Sequence, residues 1–459
     1  MPAGMLWAQV GNGEEIMRMK AILTGLCVAG MLCTMPFCGV EAAQAPMAER
    51  GAKEVLGAAL EETEGEAVPE PAGIPAQSMH KVRLTWPVTP RAVYYQLVML
   101  KDSGDYPENI ALVKDKVYTN GVEVDLTPFG EEKKDFCWKV CPLDFEGRPV
   151  EPFSKPCPIA ETGEFNTTAP LPTTEFEKMA DAPLYPVYSW IPVLESQHHE
   201  VQVYRCGPGG DRLVHTLQAG RYTIYEDSGY TQPGDYYWRV RAVEEDGTPV
   251  SDWSEKSPFR VKDHVVVAAL GDSSTHGGGA FSVSPGYTLY DWETYSEVPV
   301  KNLGLSGDTT EQMLDRFERD VLPFRPKILV IMGGVNDFRE WTLAWTTMHN
   351  LQQICDKCRT NGIIPVLATA TPINPRVIAL RGMSEVPLAD WVDRQQYVND
   401  WVMKQKYAVD VSSKLTDENG NLKAGFTTDG IHPDDVAKKH IGETIGAYLM
   451  KEFPEIVTK

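Results

Sequence analysis

The sequence predicts a multidomain protein, two all-β sandwiches followed by an α/β domain on a parallel sheet. Three observations predict it. A block of sequence recurs at a spacing of 100 residues, with Trp138 and Trp238, or Gly147 and Gly247, in matching places. Past Lys262 the alternating pattern of that repeat gives way to short, continuously apolar runs separated by helical periodicities. The chain, at 459 residues, is also too long for one core, so two to four domains are expected.

The amino end reads as a targeting segment rather than as fold. Met17-Arg-Met-Lys20 supplies positive charge, residues 21–40 carry none, and small residues follow at Ala42, Ala43 and Ala45. That order is the order of a secretory signal peptide. Cleavage after Ala42 suits it better than cleavage after Ala45, which Pro46 follows. Met17 or Met19 then serves as the start, with residues 1–16 an upstream extension. The alternative is an uncleaved anchor, since 20 apolar residues can span a bilayer. The expected division is 1–45 for extension and signal peptide and 46–78 for an Ala/Glu/Pro linker. An exported protein, secreted, cell-surface or periplasmic, follows from it.

The two copies of the repeat come next, at 79–162 and 183–261, with a linker at 163–182. Phe136-Cys-Trp-Lys-Val-Cys141 matches Tyr236-Tyr-Trp-Arg-Val-Arg241, and Glu146-Gly-Arg-Pro-Val150 matches Asp246-Gly-Thr-Pro-Val250. Pro152-Phe-Ser154 matches Asp252-Trp-Ser254. Alternating β-branched and aromatic residues between Gly, Pro and Asp turns are the pattern of a β-sandwich. Both copies resemble fibronectin type III domains, which usually serve as spacers or docking surfaces. The resemblance sets Cys137 and Cys157 opposite each other across a hairpin with a one-residue bulge, leaving a disulfide open.

The last domain spans 262–459. Apolar runs at 265–270, 327–332 and 363–369 suit parallel strands buried on both faces. Thr309 and Gln312 form a capping box for a helix with a stripe of Met313, Leu314, Phe317 and Val321. Pro387 is expected to open another helix, and the last helix to run from about 437 to 453. Cys355 and Cys358 form a lone Cys-x-x-Cys without matching histidines, which reads as core packing rather than zinc.

Four short blocks carry the chemistry: Gly271-Asp-Ser273, Asn302-Leu-Gly-Leu-Ser-Gly307-Asp-Thr309, Gly333-Gly-Val-Asn336-Asp337 and Asp429-Gly-Ile-His432. Each falls after an expected strand or before an expected helix. A serine hydroxyl needs a base to take its proton, and a carboxylate to orient and stabilise that base. Ser273, His432 and Asp429 are the candidates for those three roles. An oxyanion needs preorganised donors. The N–H of Ser273, the unobstructed N–H of Gly307 and the side-chain amide of Asn336 are candidates for those. Asp272 and Asp337 are expected to hold the turns by accepting backbone hydrogen bonds.

This ordered set resembles the SGNH hydrolase family, the GDSL esterases and lipases, over about 263–459. The resemblance implies a three-layer α/β fold with a flavodoxin-like parallel sheet and hydrolysis of carboxylic esters through an acyl-enzyme, with no cofactor and no metal. It makes Ser273, Asp429 and His432 catalytic, and Ser273, Gly307 and Asn336 the oxyanion hole. Many members carry Leu or Ile after the serine, whereas Ser274 stands here and is on paper a rival nucleophile. His276 is a candidate structural or substrate contact and Trp341 a candidate substrate contact; Trp341, Trp345 and Trp292 lie near the blocks, where stacking on sugar rings and core packing are both open.

Acidic and basic residues number 64 and 43, for a net charge of −21. Nucleic acid and anionic membrane surfaces are therefore poor partners. Export, an acidic surface and sandwich modules point to acetyl or other short acyl esters on polysaccharide or cell-wall glycan. The sandwiches are candidate docking modules for a surface or protein partner. The alternatives are a lipolytic enzyme of lysophospholipase or thioesterase type, and an adhesin whose hydrolase domain is secondary.

Overall fold

The computed structural model describes residues 78–279, 284–383 and 387–458. The expected signal peptide and almost all of the 46–78 linker lie outside the described residues.

In the first repeat, Lys81–Thr85 pairs antiparallel with Gly121–Asp125 on one side and Glu164–Phe165 on the other. A second sheet runs Ile110–Val117, Tyr94–Leu100, Cys137–Leu143 and Cys157–Pro158. Alternate residues meet between the sheets: Val82 and Leu84 from one, Leu97, Met99, Trp138 and Val140 from the other. The second repeat repeats the plan. Thr223–Tyr225, Val187–Ile191 and Leu171–Pro172 face a four-stranded sheet of Arg212–Ala219, His198–Arg205, Gly234–Val243 and Ser257–Val261. Tyr188, Trp190, Val201, Val203, Trp238 and Val240 fill its core and are fully buried.

Two expectations change here. Residues 163–182 are not simply a linker: Phe165 pairs with Val82, and Leu171 with Ile191, so both sandwiches draw a strand from this segment. Strands two residues long leave no periodicity to read. The hairpin register also sets Cys157 opposite Trp138, not Cys137. Opposed residues share a face, so Cys157 turns toward the core with Trp138. Cys137 packs with Val98 and Leu100 on the other face, and both thiols are free.

The last domain is built on five parallel strands in the spatial order Val300–Gly304, Val267–Gly271, Ile328–Met332, Ile364–Ala368, Ala408–Val409. Val267, Ala269, Ile328 and Val330 face the final helix, Asp435–Glu452, through Ile441, Ile445 and Leu449. Ala268, Leu270, Leu329 and Ile331 face the helices Ala344–Thr360 and Trp391–Val402. Cys355 and Cys358 lie buried in that layer. In chain order the sheet reads 2-1-3-4-5, so the connections diverge at Val267–Gly271. The crevice beyond Gly271 and Met332 is thus where such a sheet binds ligands.

The capping box forms as expected, on a helix Thr310–Asp315. The helix stops at Arg316 and resumes as Phe317–Asp320, so the apolar stripe is shared between two short helices. The helix expected from Pro387 begins at Trp391, after a turn closed by the Trp391 N–H on the Leu388 carbonyl.

Candidate active site

The first strand ends at a glycine for a steric reason. A Cβ on Gly271 would lie 2.6 Å from the Met332 carbonyl oxygen and 2.3 Å from Thr275 Oγ1. Asp272 then caps the helix Ser273–His276, its Oδ1 accepting the Ser274 N–H at 2.8 Å. Burial pushes the Asp272 carboxyl up to about 6. Ser273 is the first helical residue, and its Oγ lies 3.0 Å from His432 Nε2.

His432 is held from its other side. Its Nδ1 is 2.7 Å from Asp429 Oδ2, while Asp429 Oδ1 accepts the N–H groups of Ile431 and His432, each at 2.8 Å. Burial would push this carboxyl up, but the His432 imidazole and those hydrogen bonds hold it below its ordinary value. A carboxylate only accepts, so the imidazole proton sits on Nδ1 and the bare Nε2 faces the serine hydroxyl. Arg381 supports the same loop, its Nε donating to the Thr428 carbonyl at 2.8 Å. The guanidinium also stacks 4.5 Å from the Phe145 ring centroid and pairs with Glu146, both on a turn of the first sandwich.

The middle blocks are joined to each other. Gly307 has a φ of +91°, and nothing lies within 4 Å of where a Cβ would stand, so its backbone faces open space. Asn336, in the helix Val335–Arg339, donates one Nδ2 hydrogen to the Asp308 carbonyl at 2.8 Å and accepts from Arg339 Nη1 at 3.1 Å. Among the described residues its second amide hydrogen has no partner. Asp337 accepts from the Thr310 N–H at 2.9 Å and its hydroxyl at 2.6 Å.

Two buried cations brace this assembly, and neither was picked out from the sequence. Arg316 donates to the carbonyls of Gly271 at 2.9 Å and Leu303 at 2.7 Å, and pairs with Asp308 and Asp320. Lys438, on the final helix, donates to the Ser274 carbonyl at 2.7 Å. Burial lowers its pKa against the opposing pull of Asp291 and Glu293. The available signal was a charge inside an apolar stripe: Arg316 between Met313 and Phe317, Lys438 beside Ile441 and Ile445.

The remaining candidates separate clearly. Ser274 is 1% exposed, and among the described residues its Oγ has Thr371 Oγ1 at 3.4 Å and no histidine within hydrogen-bond distance. His276 does not face a substrate. It is buried, its Nε2 lies 2.7 Å from the Tyr185 carbonyl, and its Nδ1 lies 2.9 Å from Ser306 Oγ and 3.1 Å from the Ser306 nitrogen. Trp292 is fully buried and belongs to the core, not to a sugar platform. Trp341 is 83% exposed and Trp345 59%, just past the Asn336 helix.

Residues 269–439 match the GDSL-like Lipase/Acylhydrolase family. A 128-residue stretch is 30% identical to a Bacillus subtilis (strain 168) protein described as "Uncharacterized lipoprotein YqeF", covering 23% of this chain and 49% of that protein. The chain thus spans about half the length of the curated relative it matches. Among solved structures, it is similar to a putative lipolytic protein of the G-D-S-L family from Desulfitobacterium hafniense DCB-2. That likeness has 24% identity and a TM-score of 0.32, over 40% of this chain and 98% of the other. It is also similar to the lipase/acylhydrolase from Enterococcus faecalis, with 23% identity and a TM-score of 0.33 over 40% and 95%.

Proposed function

We propose, for a chain whose residues 269–439 belong to the GDSL-like lipase/acylhydrolase family, that it is an exported serine esterase removing short acyl groups, acetyl above all, from carbohydrate. The observation that carries the esterase reading is the line Ser273 Oγ to His432 Nε2 at 3.0 Å and His432 Nδ1 to Asp429 Oδ2 at 2.7 Å.

On that geometry the serine Oγ–H proton passes to Nε2 as Oγ bonds to the ester carbonyl carbon. Asp429 stabilises the imidazolium that results. The carbonyl oxygen becomes an oxyanion, with the Gly307 N–H, the second Asn336 amide hydrogen and the Ser273 N–H as its donors. Collapse returns the Nε2 proton to the departing alcohol oxygen and leaves an acyl-serine. Water, deprotonated by Nε2, then attacks the acyl carbon, and the serine recovers its proton as the acid leaves.

Support for a carbohydrate substrate comes from the exposed indoles of Trp341 and Trp345, flat apolar faces suited to stacking on sugar rings. The basic-then-apolar start of the chain supports export. The seven-stranded sandwiches with their buried tryptophans support fibronectin type III-like modules that dock the enzyme on a surface or partner. Exposed Leu343 and Leu380 favour a second reading, a lipolytic enzyme that seats an acyl chain.

A graded series of p-nitrophenyl esters, acetate to palmitate, separates the two beside a Ser273→Ala control. Activity confined to short esters, with acetate released from acetylated glycan, supports deacetylation. Activity rising with chain length favours the lipolytic reading. Trp341→Ala should raise KM on the glycan and leave p-nitrophenyl acetate unaffected. No turnover on any ester leaves the adhesin, and turnover surviving in Ser273→Ala overturns the assignment of the nucleophile.

A further inference from the structure

Residues 181–185, which lead into the second sandwich, run as a strap along the open edge of the parallel sheet. The Leu184 N–H donates to the Asn302 carbonyl at 2.9 Å, on the edge strand Val300–Gly304. Buried Lys301 reaches back to the Ala182 carbonyl at 2.5 Å and Asp181 Oδ2 at 3.0 Å. Tyr185 Oη donates to Asp320 at 2.7 Å and accepts from Arg319 at 2.8 Å. On its other side the strap belongs to the sandwich, for the Leu184 carbonyl takes the Tyr230 N–H at 3.0 Å and the Pro186 carbonyl the Glu226 N–H at 3.0 Å.

The strap meets the site through one side chain. His276 ends the four-residue helix that begins at Ser273. A backbone carbonyl can only accept, so His276 Nε2 carries the proton given to Tyr185 at 2.7 Å. Nδ1 is then a bare acceptor for the Ser306 N–H at 3.1 Å and hydroxyl at 2.9 Å. Burial lowers the imidazole to about 4, which keeps it neutral and this pattern intact near pH 7. One ring therefore joins the strap, the nucleophile helix and the residue before Gly307.

We propose that His276 is a positioning residue that hangs the Ser273 helix and the Ser306–Gly307 turn from the strap, so that the second sandwich sets the geometry of the ester-cleaving site. This rests on the serine-esterase reading. The sandwich then acts as part of the scaffold of the oxyanion donors, beyond any role in docking.

The test uses three full-chain variants. His276→Asn keeps an acceptor for Ser306 but does not reach Tyr185, and His276→Gln keeps a donor toward Tyr185 but not the acceptor position. Tyr185→Phe loosens the strap from a distance. All three should lower kcat on p-nitrophenyl acetate by about tenfold, the scale of one lost hydrogen bond, with KM unchanged. Hydrogen exchange should quicken over 303–309 in His276→Asn and Tyr185→Phe, where the Ser306 link itself is retained. Unchanged kcat and unchanged exchange over 303–309 in those two variants overturn the proposal, as does a fall in activity confined to His276→Gln. If the wild type hydrolyses no ester, the function fails by itself, and the exchange over 303–309 still decides the coupling.

Discussion

The Asp308 carbonyl oxygen accepts a hydrogen from the Asn336 side-chain amide at 2.8 Å. That single contact ties the loop after Val300–Gly304 to the helix after Ile328–Met332, two elements not adjacent in the sheet. It also fixes the amide plane, so the second Nδ2 hydrogen has one direction to point. Arg316 pairs with Asp308, so the residue whose carbonyl orients the amide is itself held.

Asn336→Ala should therefore lose both a donor and a tether. The expected fall in kcat is about 10²–10³-fold, the range for one oxyanion donor, with KM little changed. Steady-state kinetics on p-nitrophenyl acetate checks it, and a loss expressed in KM alone would contradict the role.

The adjacent serines should behave oppositely. Ser273→Ala should abolish turnover and phosphonylation by a phosphonate probe. Ser274→Ala gives up a 3.4 Å contact with Thr371 and should keep kcat within about tenfold, the worth of a neutral hydrogen bond at most. Mass spectrometry of the phosphonylated protein locates the modified residue directly.

Lys438 sits fully buried among Asp291, Glu293, Asp272 and Asp429, with its ammonium on the Ser274 carbonyl. Lys438→Ala leaves the buried Ser274 carbonyl without its donor and should cost about 1–3 kcal/mol of stability. Urea unfolding followed by tryptophan fluorescence measures it. Lys438→Met, which refills the volume, should lose less, though the Ser274 carbonyl still lacks a donor.

Asp434 provides a test by pH. Burial pushes its carboxyl up to about 7, against hydrogen bonds from Thr428 Oγ1 at 3.0 and 3.1 Å. In the unfolded chain it titrates near about 4, so between those values the folded state holds the extra proton. Its contribution is complete below the lower value and is lost as pH rises through the upper one. Asp434→Asn should raise Tm only slightly at pH 5, just above the lower value, and by at least about 2 °C more at pH 8. Thermal scans at both pH values decide it; a larger gain at pH 5 would contradict the direction.

The candidate site was legible as an ordered set of residue types: Ser273, Gly307, Asn336 and the Asp429–His432 pair stand out in the sequence, and the structure sets Ser273, His432 and Asp429 within hydrogen-bond reach of one another. The edge strand Val300–Gly304 was not legible, because two of its five residues, Lys301 and Asn302, are polar yet buried. Their partners are Ala182 and Asp181 for the lysine, and the Thr275 carbonyl and Glu293 for the asparagine. A one-dimensional pattern does not reveal partners that far away. For His276 the companions Tyr185 and Ser306 lie 91 and 30 residues off, so the sequence leaves a structural and a substrate role both open. The sandwiches were legible from their repeat, whereas the two-residue strands that widen them carried no period.

The strap and the strand it borders are 119 residues apart where Lys301 meets Ala182. A chain made from its amino end therefore completes the strap and the second sandwich well before the sheet edge that receives it exists. Until then Leu184 offers an unused backbone donor, and Asp181 a carboxylate awaiting its cation. The late arrival must close a long loop against a part already folded, a slow kind of step. In the order of synthesis, the sandwich side of this contact precedes the strand that pairs with it.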